Sequence, residues 1–428
     1  MSAAPTQGSN TPFQFNYIPY PLWRRKMPPP VRWALEPLLR RHYPVVEDRR
    51  LAPTINDIVG YMGRFGLLPA DMTPEEMWRS IARLPAQVSV VDPQATPAQT
   101  RQRARLPAQW EPMERIMLSW ATNYPPLWDM HAQMVEGITP VANVQINVNH
   151  PVWAQAVYLY LQARGRADLA RVQFYVLPTD DIWIRDYGPF VCLDEAHRRT
   201  VVEVVYDPLP NYPQGRDNRM PSVWAAHERL PVHRLDFHGE GGNVWTDGRG
   251  TLLMTNQAYR LNEGLSRDGL LKLLHSAFDF EKLLLLPRLR IEETGHIDLL
   301  VKLASEDTVL VSAPQGAFLT GGRLQTAIRL LRRARSARGY AYNLVPLPTP
   351  PLYLNWFGFP IRRSYTNALT VNGRVLVPVY GVRTDQRALR TYESAMPEHE
   401  IIPIDCTLAA NGGGAVHCMT KEVPRGNA

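Results

Sequence analysis

The sequence predicts a large mixed α/β domain preceded by a small helical appendage, and three observations lead there. From Trp110 onward, short apolar runs alternate with stretches of helical periodicity. Before residue 105 only helical patterns occur, and the stretch DPQATPAQTRQRARLPAQ, residues 92 to 109, is polar, basic and proline-containing, as a connecting segment would be. A chain of 428 residues that is 45% hydrophobic and 20% charged has ample material for such a core.

Taken in order, residues 1–30 are rich in proline and aromatic residues and show no periodicity, which suits a partly disordered start. VRWALEPLLRRHY, NDIVGYMGRFG and TPEEMWRSIARL read as helices, the last capped by Thr73. In the large domain MLSW, VANVQINV, RVQFYVLP, FVCL, VVEVVY, TLLMT, KLLLLP, IDLLVKL, TVLVS, YNLVPLP, ALTVN and RVLVPVY read as strands. WAQAVYLYLQARG, SRDGLLKLLHSAF, RLQTAIRLLRRARS and DQRALRTYESA read as helices, and NVWTDGRGTLLMT as a hairpin turned at Asp247 and Gly248. The phosphate fingerprints GxGxxG and GxxxxGK[ST] are missing from the strand-to-helix turns, which argues against a nucleotide-binding sheet.

Composition narrows the function classes. The net charge of +7 invites a polyanion partner, but the arginines lie in small scattered groups such as RQRAR and RLLRRARSARGY, so no specific nucleic-acid partner is expected. Cys192, Cys406 and Cys418 are an odd number without a CxxC pair, which argues against a disulfide framework or a zinc site and fits a reduced, cytoplasmic setting. There is no basic segment followed by an apolar run at the N-terminus and no apolar run approaching the roughly 18 residues of a membrane span. No membrane partner is expected.

Four short stretches concentrate ionisable residues and glycines. NGGGAVHCMTKEVP places Cys418 behind a glycine turn, where backbone amides and a ligand can come close; taken alone, a buried cysteine closing a turn is the simpler account. In EETGHIDLL, His296 and Asp298 are two apart at the start of a strand-like run, a spacing that points both to one face. DDIWIRDYGPF sets Asp180, Asp181 and Asp186 around Trp183 and Arg185, which an ordinary turn with an Asp–Arg pair would also explain. In FHGEGGNVWTDGRGT, Asp247 reads as a turn residue, whereas Glu240 between glycines is the better ligand carboxylate. A Cys–His protease has no use for so many acids, but a planar cation with a fork of N–H donors, a guanidinium, does.

These stretches, with LPAQWEPMERIMLSW and SYTNALTVNGRVLVP, occur in an order that resembles the agmatine deiminase and bacterial peptidylarginine deiminase group of guanidino-group modifying enzymes, over about three quarters of the chain. The resemblance implies a five-bladed α/β propeller (pentein) over residues 106–428, an N-terminal extension over 1–105, and no metal or organic cofactor. It implies Cys418 as nucleophile, His296 as general acid/base, and Asp186 and Asp298 as guanidinium-binding carboxylates. It implies Glu240, one of Asp180 and Asp181, and Trp110 as substrate-binding residues, and Arg216 as a receiver of a substrate carboxylate in the peptidylarginine branch. His417, if its segment is extended, would point away from the nucleophile. The expected partner is a small guanidine, with agmatine ahead of a C-terminal arginine; an amidinotransferase would share the site, and a homo-oligomer is left open.

Overall fold

The computed structural model describes residues 55–68, 72–81, 87–122, 125–206, 214–289, 292, 294–314, 321–355 and 360–427. The helix expected over VRWALEPLLRRHY and the proline-rich stretch before it lie outside these residues.

The fold is mixed α/β, and one pairing pattern recurs among the described residues. A first strand pairs antiparallel with a second, and the second pairs parallel with a third that returns after a helix, because parallel neighbours need a crossover. The pattern is made by Phe190–Leu193, Arg199–Val205 and Val232–His238, then by Trp245–Thr246, Thr251–Thr255 and Lys282–Leu286. It appears again in Val301–Leu303, Thr308–Ser312 and Asn343–Leu347, and in Leu369–Val371, Arg374–Val379 and Glu400–Asp405. The fifth instance joins the two ends of the domain: Lys421–Pro424 lies antiparallel to Met113–Ser119, which runs parallel to Asn143–Val148. Val172–Val176 and then Val88–Val90 extend that sheet, both parallel. Among the described residues strand pairing joins no one of these sheets to another, so the pairings alone do not make the expected propeller.

Sequence explains the elements that were legible. FVCL and TLLMT are buried at every position, and such continuous apolar runs belong to strands covered on both faces. Helix Gly322–Arg333 buries Leu324, Ala327 and Leu331, one helical stripe, and turns its arginines outward. Arg216 and Arg219 sit on helix Gly215–His227 despite Pro221 in its interior, because burial of Met220, Val223 and Trp224 outweighs the local cost of proline.

The N-terminal helices Ile55–Arg64 and Pro74–Ile81 bury Ile58, Met62 and Met77 in the largest apolar cluster. Thr73 and Glu76 exchange bonds at the start of the second, Thr73 Oγ1 accepting from Glu76 N at 3.2 Å and Glu76 accepting from Thr73 N at 2.7 Å. The connecting segment is tied to the domain: Ala104 N donates to Ala277 O and Arg105 N to Leu193 O, each at 2.9 Å.

Candidate active site

Each of the five sheets receives its first strand from a short turn that carries a polar side chain. Asp186 lies in helix Ile184–Tyr187 ahead of Phe190–Leu193, and Glu240 just before the 3₁₀ turn Gly241–Asn243 that leads into Trp245–Thr246. His296 and Asp298 bracket the start of the 3₁₀ turn Ile297–Leu299, Asn367 precedes Leu369–Val371, and Cys418 lies in the 3₁₀ turn His417–Met419 ahead of Lys421–Pro424. All are buried, from 0% exposed at Asp298 and Asn367 to 8% at Asp186 and Glu240, so their charges act with little screening.

Two clusters result. In one, His296 stands between acids, Nδ1 3.6 Å from Asp186 Oδ1 and Nε2 3.2 Å from Glu240 Oε2. In the other, Cys418 Sγ accepts from Asn367 Nδ2 at 3.1 Å and lies 3.9 Å from Asp298 Oδ2, while Asn367 Oδ1 accepts from Cys418 N at 3.3 Å. His417 Nδ1 is 2.7 Å from the same Asp298 oxygen, and its ring stacks on Trp245 at 4.7 Å.

Two expectations about direction are corrected. His296 and Asp298 were placed on one strand face, but the segment is a 3₁₀ turn, in which residues two apart diverge by roughly 120°. His296 therefore reaches Asp186 and Glu240, and Asp298 reaches Cys418 and His417. His417 was expected to point away from the nucleophile; the turn His417–Met419 instead lets neighbouring side chains converge on Asp298. Asn367 was not singled out at all, since an asparagine in a polar turn carries no signal until its partner 51 residues away is known.

The remaining candidates lie differently. Asp180 is held by Arg216, whose Nε is 2.7 Å from Oδ1 and whose backbone N donates to Oδ2 at 2.8 Å. Asp181 Oδ1 accepts from Ile182 N at 2.7 Å, and the N–H groups of Asp180 and Asp181 both point to Asp217 Oδ1, at 2.6 and 3.3 Å. Trp110 packs against the apolar cluster that contains Trp245 and Leu299. Asp247 closes its hairpin by accepting from Arg249 N and Thr251 N, both at 2.8 Å. Arg185 forks onto Glu422 at 2.6 and 2.8 Å and donates to His417 O at 3.1 Å, which ties the turn of Asp186 to that of Cys418.

Burial and neighbouring charge set the protonation states. Burial would lower the His296 value, but Asp186 and Glu240 outweigh it and hold the imidazole protonated well above its ordinary range. Burial pushes Asp186 up to about 6 and Asp298 up to about 7, with His296 pulling both down. The Cys418 thiol is raised well above its ordinary value by burial and then by Asp298 and Asp186, so it rests as a thiol. Asp186, Glu240 and His296 offer ligand atoms within 4.8 Å of one another.

Gly242 explains the EGG sequence. Its N–H donates to Asp186 Oδ1 at 3.0 Å, and a Cβ there would collide with His296 Nδ1 and stand 2.7 Å from that carboxylate oxygen. Gly242→Ala is expected to leave the protein folded by circular dichroism but to lower kcat/KM by about 10²-fold, because it displaces the acid–imidazole pair. Activity within about threefold of wild type would show that this pair tolerates displacement.

A buried thiol, an imidazole and three carboxylates, carried on turns ahead of first strands, make an acceptor set suited to a planar cation. The chain belongs to the Porphyromonas-type peptidyl-arginine deiminase family, whose model matches residues 105–424. The agmatine deiminase of Stutzerimonas stutzeri (strain A1501) is 27% identical over 354 residues, 74% of this chain and 95% of that protein. The agmatine deiminase of Pseudomonas aeruginosa (strain LESB58) is likewise 27% identical over 354 residues, 75% of this chain and 95% of that one. Among solved structures, the agmatine deiminase of Enterococcus faecalis matches with a TM-score of 0.67 at 20% identity, covering 77% of this chain and 99% of its own, a likeness of fold.

Proposed function

We propose that the protein is a hydrolase that deiminates a small guanidine, agmatine to N-carbamoylputrescine and ammonia, through an amidino-thioether on Cys418. The observation that carries this reading is a buried thiol sharing one site with an imidazole and the carboxylates of Asp186, Glu240 and Asp298, an acceptor set matched to a guanidinium's donors. Agmatine is favoured because the relatives named above are agmatine deiminases.

Asp186 and Asp298 grip the guanidinium nitrogens, and Glu240 helps hold the cationic end. The bound cation offsets the carboxylates that keep Cys418 protonated, and the thiol gives its proton to solvent. The thiolate forms an S–C bond to the guanidinium carbon. His296, protonated at rest, gives its proton to the departing nitrogen, which leaves as ammonia. Neutral His296 then takes a proton from water as its oxygen adds to the same carbon. Collapse breaks the S–C bond, and the hydroxyl proton passes to the sulfur as the neutral ureido product leaves, restoring the resting thiol.

This cycle has a pH dependence with a definite sign. The gripping acids must be ionised, and burial holds Asp186 up to about 6 and Asp298 up to about 7, so kcat/KM falls as pH drops through neutrality and more steeply below about 6. A profile of kcat/KM at constant ionic strength checks this, and a flat acid limb would sink the assignment of the acids. The direct test of function is an assay of ureido product and ammonia from agmatine, arginine and peptides ending in arginine. A transferred amidine without ammonia would point to an amidinotransferase.

The peptidylarginine alternative needs Arg216 free to receive a carboxylate, but that side chain is engaged by Asp180. Arg216→Ala is expected to change kcat/KM for agmatine by less than about threefold while costing about 1 kcal/mol of stability in denaturant unfolding. A larger loss on a substrate ending in arginine than on agmatine would favour the alternative.

We infer further that the five units close around one axis as five blades, residues 106–428 forming the catalytic domain. The reading is supported by the shared pairing pattern and by site residues at matching positions ahead of each first strand. Three buried, unpaired cysteines support a reduced, cytoplasmic setting.

A further inference from the structure

We propose that His417, the residue beside the nucleophile, is a positioning residue whose Nδ1–H fixes Oδ2 of Asp298 and thereby turns Oδ1 of that carboxylate toward the substrate. The inference rests on the deiminase reading and adds a residue to which that reading assigns no role.

The geometry on both sides is rigid. Asp298 is fully buried, with Oδ2 2.7 Å from His417 Nδ1 and 3.9 Å from the thiol, whereas its Oδ1 is buried with no hydrogen-bond partner. An orphaned carboxylate oxygen costs free energy in the resting protein unless a donor comes to it, and a guanidinium consists of donors. An ionised carboxylate only accepts, so the proton of the 2.7 Å bond belongs to Nδ1 when Asp298 grips a cation. The His417 ring lies flat against Trp245, with 24° between the planes, and Trp245 is pinned by its Nε1 donating to Val301 O at 3.0 Å. The backbone of His417 is fixed as well, its N donating to Asn367 O and its O accepting from Arg185 Nε, both at 3.1 Å.

The charges around the ring keep it neutral. Burial, then Arg185, Lys302, Lys421 and His296, hold its value well below the ordinary range, and Asp298 is the acid bonded to it. A neutral imidazole can donate at Nδ1 without adding a second imidazolium beside a site that must admit a cation. His296 and His417 thus divide the work, one moving protons while the other holds a carboxylate.

The test uses the full chain. His417→Phe keeps a ring on Trp245 but removes the donor, whereas His417→Asn places an amide N–H near the position of Nδ1. On the guanidine that the wild type turns over best, the Phe variant should lose about 10²-fold in kcat/KM with a raised KM, and the Asn variant should return to within about tenfold. In the wild type, ¹⁵N-histidine NMR should show one neutral imidazole protonated at Nδ1 at about pH 8, above the value of about 7 to which burial raises Asp298, its signal shifting in Asp298→Asn. A Phe variant within about threefold of wild type, an Asn variant no better than Phe, or a proton on Nε2 would overturn the proposal. Should the Phe variant fail to fold, the Asn variant and the NMR decide. Absence of turnover in the wild type would overturn the function itself, and is recognised before any substitution is made.

Discussion

Cys418→Ser is expected to abolish turnover, by roughly 10⁴- to 10⁶-fold, while leaving the fold and substrate binding nearly intact. The reason is sharper than a missing nucleophile. Even the wild-type thiol is held protonated by burial and by Asp298 and Asp186, and in the proposed cycle it becomes a thiolate only when a cation arrives to offset them. A serine hydroxyl, far harder to ionise, gains too little from the same cation to react. Single-turnover kinetics should show no covalent species in the variant, and mass spectrometry of the wild type with a slow substrate should find the adduct on Cys418. Cys192 and Cys406 are fully buried thiols whose values burial also raises, so an adduct on either would overturn the assignment.

Asp186→Asn and Asp298→Asn are expected to lower kcat/KM by about 10²- to 10³-fold each. Both substitutions keep the side chain's size but present amide donors toward a substrate made of donors, and each lost buried contact costs about 2 to 5 kcal/mol. The two should differ in kind. Asp186 also holds the proton on His296, so its loss should lower that imidazole's value and depress kcat. Asp298 is engaged by the neutral His417 and should act more through KM. Both variants retaining near-normal activity on every guanidine tested would remove the clamp, and the deiminase reading with it.

How far these residues were visible beforehand depended on the kind of signal each carried. FVCL, TLLMT and TVLVS coincide with their strands because a continuous apolar run has few other uses. Val232–His238, Glu400–Asp405 and Lys421–Pro424 were missed, since VHRLDFH, EIIPID and KEVP mix charges and prolines into pairings that only distant partners stabilise. Helix Trp128–Ile138 was also missed, being buried on most sides and so lacking a clean polar face. At the site, residues with uncommon chemistry stood out: a thiol behind glycines, a His–x–Asp, an acid between glycines. Asn367 did not, and His417 was given the wrong direction, because their meaning lies in contacts across 51 and 119 residues of chain. The direction of His296 and Asp298 was misjudged because a period of two was assumed where the backbone takes a period of three.

The strand Lys421–Pro424 completes the sheet begun at Met113–Ser119, and Cys418 sits immediately before it. During synthesis from N- to C-terminus, the thiol of Cys418 is thus made after Asp186, Glu240, His296, Asp298 and Asn367. The strand that anchors it must find a partner about three hundred positions upstream, a closure expected to be among the slower events of folding. A chain cut short of residue 418 can assemble most of the acidic cage and still lack the thiol, so the site is complete only once Lys421–Pro424 has joined Met113–Ser119.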